Sequence, residues 1–130
     1  MQASNWPSVL QYYTDDIEYQ DPIVTIEGID MMSEFLARLF GVSPDLATAI
    51  EDETCINGMY TATWTMVGAF DGIPYTAKGM SIMKFRPKET QVYCQKDYDT
   101  EGDIMITIPG LDEVAQQFRT YYRSAVDATF

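Results

Sequence analysis

Histidine is absent from this chain, and lysine and arginine together number 8 against 20 aspartates and glutamates in 130 residues. The first absence excludes HExxH zinc enzymes, serine and cysteine triads that rely on an imidazole, and any histidine general base. Proton transfer is left to Asp, Glu, Tyr, Lys or Cys. The second shortage leaves a net charge of −12, which removes the positive patch from which recognition of phosphate backbones or anionic headgroups starts. Neither nucleic acid nor a membrane surface is an expected partner. Cysteine is scarce too: Cys55 and Cys94 stand far apart, a pattern that suits thiols in a reducing compartment better than a metal site. No run approaches the roughly 20 apolar residues needed to span a bilayer, and Met1 to Thr14 lacks the basic start and apolar stretch of a signal peptide, so a cytoplasmic protein is expected.

What is present suits a folded core. Apolar residues make up 46% and aromatics 13%, well above a disordered composition. The length fits one domain over residues 1–130 that hides about two thirds of its unfolded surface. A short helix is expected from Trp6 to Tyr13, with Asn5 as cap, Pro7 in the first turn, and Asp15 and Asp16 ending it. Short strands follow at Ile17 to Tyr19 and Val24 to Ile26 around the Asp21-Pro22 turn. Gly28 introduces a second helix, capped by Asp30, with Met31, Met32, Phe35, Leu36, Leu39 and Phe40 on its apolar face and Gly41 as a left-handed stop.

The centre reads as sheet: Leu46 to Ile56, Met59 to Phe70, Tyr75 to Phe85 and Gln91 to Tyr98 are rich in β-branched and aromatic residues. Asn57-Gly58 and Asp71-Gly72 mark hairpin turns, so these strands run antiparallel in succession. Alternation places Tyr60, Ala62, Trp64, Met66 and Phe70 on one face of the second long strand, and Tyr93, Gln95, Asp97 and Asp99 on one face of the last. Pro109-Gly110 breaks the chain, and a helix is expected from Leu111 to Ala128, aligning Val114, Phe118, Tyr121, Tyr122 and Ala125. The fold class is α+β.

Three stretches carry a resemblance: YYTDDIEYQDP at 12–22 followed by EG at 27–28, TWTMVGAFDGIPYTAKGMSIMKF at 63–85, and QKDYD at 95–99. In order and spacing they resemble the nuclear-transport-factor-2-like cone, which includes SnoaL-like polyketide cyclases, ketosteroid isomerases and limonene-epoxide hydrolases. The resemblance implies a cone-shaped, curved antiparallel sheet packed on helices. It puts Asp21 at the place of the ketosteroid isomerase general base. It puts Tyr19 where the epoxide hydrolases hold their attacking water with a tyrosine, and Asp97 where one of their catalytic acids stands. SnoaL-like cyclases similarly use an acidic residue around this last strand. There are departures: Ala62 and Trp64 occupy the places of the hydrolase Arg and Asp, and Ser81 that of the neutral acid that donates to the oxyanion in ketosteroid isomerases. The segment 114–130 resembles the long first helix of this fold. It is expected to replace that helix, within the chain or by exchange with a partner, unless it is an added tail.

The expected catalytic set is Asp97, Asp21 and Tyr19, with Tyr60, Trp64, Met66, Ser81, Met83, Tyr93 and Gln95 lining an apolar pocket. A carboxyl group in such surroundings loses hydration, which raises its pKa toward the range useful for acid–base work. The reaction expected is isomerisation or cyclisation of a small to medium apolar carbonyl compound, with no cofactor and no metal. Each residue also has a plainer reading. Asp21 could close an Asx-turn, Asp97 could pair with Lys96 or Lys84 or face solvent, and the tyrosines could simply cover the sheet. A non-catalytic small-molecule-binding or dimerisation domain therefore stays open, as does a divergent epoxide hydrolase. A homodimer through the outer face of the sheet, at Thr61, Thr63 and Thr65, is the expected assembly.

Overall fold

A computed structural model of the chain describes residues 5–70, 72–100 and 108–126. Helix α1 (Trp6–Val9) passes through a 3-10 turn (Leu10–Tyr12) into β1 (Tyr13–Gln20); β2 (Thr25–Glu27) and α2 (Ile29–Val42) follow. Then come the long strands β3 (Ala47–Ile56), β4 (Met59–Phe70), β5 (Ile73–Phe85) and β6 (Val92–Asp99), and α3 (Asp112–Val126). Six strands form one curved sheet in the order β2-β1-β6-β5-β4-β3, giving the expected α+β cone.

Local chemistry accounts for most boundaries. Asn57 (φ 51°) and Gly58 (φ 75°) are both left-handed, the backbone that a two-residue hairpin turn requires, and they join β3 to β4. On α2, Met32, Leu36 and Phe40 recur every fourth residue and are buried. They pack on Tyr13, Ile17, Tyr19, Ile26, Leu46, Tyr75 and Val92. Burial of those three side chains contributes on the order of 5–9 kcal/mol before entropy is counted. Ile17, fully buried, sits at the centre of this layer.

Several boundaries differ from expectation. The first helix stops before residue 13, because Tyr13, Thr14, Ile17 and Tyr19 are all buried in one eight-residue strand; Asp15 and Asp16 lie within that strand and not at a helix end. Gly28 (φ 89°), not Asp30, is the cap of α2, its N–H bonded to the Ile17 carbonyl at 2.8 Å. The helix runs through Gly41 and ends at Val42, where the Ser43 N–H bonds Leu39 O at 2.9 Å; no left-handed residue is needed. One joint of the sheet is parallel: β1 lies beside β6, with Tyr19 opposite Gln95 and Gln20 opposite Lys96. That pairing joins β1 to the last described strand and creates the site.

Helix α3 lies where the sequence places it, but among the described residues no strand packs extensively on it. Ala115 is its one buried hydrophobic residue among those described. Residues 127–130 of the segment likened to a first helix lie outside the described residues. No described helix is long and apolar enough to cross a membrane.

Candidate active site

Strand register alone assembles the site. Residues opposite one another across neighbouring strands share a face, so Ala62, Ser81 and Asp97 form one row across β4, β5 and β6. The next row holds Tyr60, Met83, Gln95 and Tyr19. Trp64 and Gly79 begin the row on the other side.

Asp97 is the hub. Its Oδ1 accepts the Ser81 hydroxyl at 2.6 Å and the Gln95 amide Nε2 at 2.9 Å. Both donors are buried and themselves oriented. The Trp64 indole N–H donates to Ser81 Oγ at 2.9 Å, which leaves the serine proton for Asp97. The Tyr13 hydroxyl donates to Gln95 Oε1 at 2.9 Å, which turns the amide nitrogen toward Asp97. With Oδ1 occupied by two donors, the remaining proton-accepting position is Oδ2, and this oxygen lies 3.2 Å from the Tyr19 hydroxyl.

Tyr19 also reaches Asp21, whose Oδ2 stands 3.0 Å from the same hydroxyl. A phenol carries one proton, so it donates to one carboxylate at a time; the second contact is filled when a protonated Asp97 donates back to Tyr19. The pKa directions agree with this line of groups. Burial, opposed in part by Ser81, Gln95 and Tyr19 and reinforced by the nearby Asp21 charge, pushes the Asp97 carboxyl up. Burial first, then the charges of Asp97 and Asp21, drives the Tyr19 phenol well above its ordinary range, so it remains a donor. Tyr13 is pushed up in the same way, chiefly by burial. The ring of Phe35 on α2, with centroids 5.5 Å apart, holds Tyr19 in place.

Asp21 does two things at once. Its Oδ1 accepts the Ile23 and Val24 backbone N–H groups, both at 2.8 Å, closing the Asx-turn, while Oδ2 is left for Tyr19. Asp97 has no ion pair with Lys96 or Lys84: the ion pairs among the described residues are Arg38–Glu34 and Arg86–Asp16.

Of the residues proposed from sequence, Asp97, Asp21, Tyr19, Ser81, Gln95 and Trp64 are therefore joined by hydrogen bonds. Met83 lies in the adjoining row, half-buried against the core. Met66, opposite Ala77, and Tyr60, whose hydroxyl donates to Glu53 at 2.5 Å, sit at the margins. Tyr93 is on the other face. The ladder pairs Phe85 with Val92 but Lys84 with Cys94, so Tyr93 is an extra residue, a bulge, and Val92, Gln95 and Asp97 point inward together. The guanidinium of Arg86 covers the Tyr93 ring at 4.6 Å. Tyr13 was not among the sequence candidates. Its signal was the two-residue spacing of Tyr13, Ile17 and Tyr19 around a polar residue 15, hidden by the adjacent helical pattern. Among the described residues no group of three or more Cys, Asp or Glu side chains is placed to hold a metal ion.

A curved sheet of this topology packed on helices is the cone of the nuclear-transport-factor-2-like class. Within it, residues 1–92 match the model of the SnoaL-like domain, and the chain belongs to that family. Solved structures agree on the fold. A protein with a ketosteroid isomerase-like fold from Catenulispora acidiphila, in complex with trimethylamine, is similar at TM-score 0.72 and 16% identity, covering 81% of this chain and 86% of that one. A candidate SnoaL-like polyketide cyclase from Jannaschia gives 0.69 and 20%, over 81% and 79%. An LEH-like epoxide hydrolase of M. tuberculosis gives 0.70 and 14%, over 82% and 78%. Among curated proteins, none matches in sequence.

Proposed function

We propose that this protein is a cofactor-independent isomerase or cyclase acting on a small to medium apolar carbonyl compound through carboxylate acid–base catalysis. The observation that carries the reading is the asymmetry of Asp97: two neutral donors hold Oδ1, while Oδ2 faces a phenol that it shares with a second carboxylate. In its ionised form Asp97 takes a C–H proton next to the substrate carbonyl through Oδ2, and its raised pKa makes it a stronger base than an exposed aspartate. Tyr19, fixed as a donor, turns its proton toward the developing oxygen anion, where a preorganised donor contributes most. Asp21 is the alternative acceptor of that proton when no substrate is bound. Neutral Asp97 then returns the proton to carbon, completing an isomerisation, or the enolate carbon attacks a second carbonyl, whose π electrons become an alkoxide that takes the proton from Asp97, closing a ring. Trp64, Met66, Met83 and Tyr60 supply apolar contact surface around the row.

Turnover of polyketide, steroid and epoxide panels by the parent and by Asp97→Asn tests this. Loss of a general base costs roughly 10²–10⁴ in rate, and equal turnover by the variant refutes the role. One observation favours a second reading: the polar side chains around Asp97 already satisfy one another, so the network could serve only to shape a binding surface. Saturable quenching of tryptophan fluorescence by an apolar compound that neither protein converts supports that reading.

A further inference from the structure

Two hydrogen-bonded chains run to Asp97 from opposite sides, and both end on the same atom. From β4, the Trp64 indole N–H reaches Ser81 Oγ at 2.9 Å, and the serine hydroxyl reaches Oδ1 at 2.6 Å. From β1, the Tyr13 hydroxyl reaches Gln95 Oε1 at 2.9 Å, and the amide nitrogen reaches Oδ1 at 2.9 Å. All four side chains are buried, none more than 7% exposed. An ionised carboxylate offers about four lone-pair sites on its two oxygens. Donors that served only to satisfy a buried charge would gain by dividing between those oxygens, yet both chains converge on Oδ1 and leave Oδ2 to the Tyr19 hydroxyl at 3.2 Å.

Each chain also has a fixed direction. An indole nitrogen donates and cannot accept, so Ser81 directs its own proton to Asp97. Burial, followed by the charge of Asp97, drives the Tyr13 phenol up, so it stays protonated and a donor. The Gln95 amide is the link that could reverse: turned over, it would set Oε1 against Oδ1, acceptor against acceptor, and the Tyr13 proton opposes that turn. A proton on Oδ2 leaves Oδ1 an acceptor in the neutral acid as in the ion, so neither chain rearranges when Asp97 takes up or gives back a proton.

We infer that Tyr13 and Trp64 are positioning residues for Asp97: acting through Gln95 and Ser81, they hold Oδ1 as a permanent acceptor and confine proton exchange to Oδ2, the oxygen beside Tyr19. The inference rests on the reading of Asp97 as the base, and it adds two groups that act one residue removed from that acid. Hydrogen bonds favour the ionised form when they are made to it, so the two chains also oppose the rise that burial imposes on the carboxyl group.

Carbon-13 NMR of the full chain labelled at its aspartate carboxyl groups, with Asp97 assigned by the signal lost in Asp97→Asn, reads the Asp97 titration midpoint with no substrate present. Tyr13→Phe and Trp64→Phe should each raise that midpoint, as should Gln95→Met and Ser81→Ala. Tyr13→Phe should add nothing in the Gln95→Met background, nor Trp64→Phe in the Ser81→Ala background, because the path is already cut; a role confined to general stability predicts no such pairing. Circular dichroism checks each fold, and the two branches are independent, so an unfolded variant in one leaves the other decisive. In either branch, a midpoint that the aromatic substitution does not move, or a shift that persists in full once the middle residue is replaced, overturns the role of that aromatic residue. Turnover by Asp97→Asn judges the base itself, so failure of the positioning role and failure of the base are read from different measurements.

Discussion

Replacing Gly79 with alanine tests how the sheet holds the indole that positions Ser81. A Cβ at this position would stand 2.4 Å from Trp64 Cη2, 2.5 Å from Cζ2 and 2.5 Å from the Tyr98 carbonyl oxygen. Carbon contacts settle at roughly 3.5–4.0 Å, so the ring and the cross-strand backbone must both recede by about 1 Å. Overpacking of this kind costs about 1–3 kcal/mol. Displacing the indole also breaks its 2.9 Å bond to Ser81, for about 1 kcal/mol more. The sum, about 2–4 kcal/mol, lowers Tm by roughly 8–16 °C in a domain of this size. Differential scanning calorimetry measures it directly. A double-mutant cycle identifies the cause, since Trp64→Phe removes the clashing ring atoms and should recover about 1 kcal/mol or more of the Gly79→Ala cost; the remainder belongs to the Tyr98 carbonyl. A variant within about 0.5 kcal/mol of the parent, or a cost unchanged by Trp64→Phe, would refute the account.

Tyr13→Phe should destabilise by about 1–3 kcal/mol, because Gln95 Oε1 loses its donor in a buried place; urea unfolding checks this, and an unchanged midpoint contradicts it. Stability against pH should carry the signature of Asp97. Its folded pKa lies above the ordinary aspartate value of 3.8, so the folded state binds the extra proton, and stability falls as pH rises from about 3.8 through the folded value. Asp97→Asn should flatten that decline, and an identical slope in the two proteins counts against it. Asp16, lowered to about 2 chiefly by Arg86 and exposed, works in the opposite sense, losing a solvent-screened contribution as pH falls from 3.8 toward 2; Arg86→Met should remove that acid-side loss.

Local signals carried far in this sequence, and long-range ones did not. The hairpin at Asn57-Gly58 and the apolar face of α2 were legible because each depends on residues within one or two turns. Tyr19, Asp21 and Asp97 came to notice through their motif neighbours, and strand alternation correctly set Ala62 and Trp64 on one face. Their meeting was another matter: Tyr19 and Asp97 are 78 residues apart, and the parallel β1–β6 joint has no local mark. Tyr13 was obscured because a helical pattern ran up to the residue where the strand begins. Tyr93 was misplaced because alternation assumes an unbroken ladder, and a single inserted residue reverses every inference made across it. The exposed apolar residues of α3 show the opposite problem, since periodicity identifies an apolar face without saying whether the chain covers it.

That inserted tyrosine makes β6 adjustable without disturbing what it displays. Removing it would leave Val-Cys-Gln-Lys-Asp in strict alternation, with Val92, Gln95 and Asp97 still turned the same way, while taking out the bend that a bulge introduces. The bend of this strand thus rests on one residue, while the acid itself stays in its row.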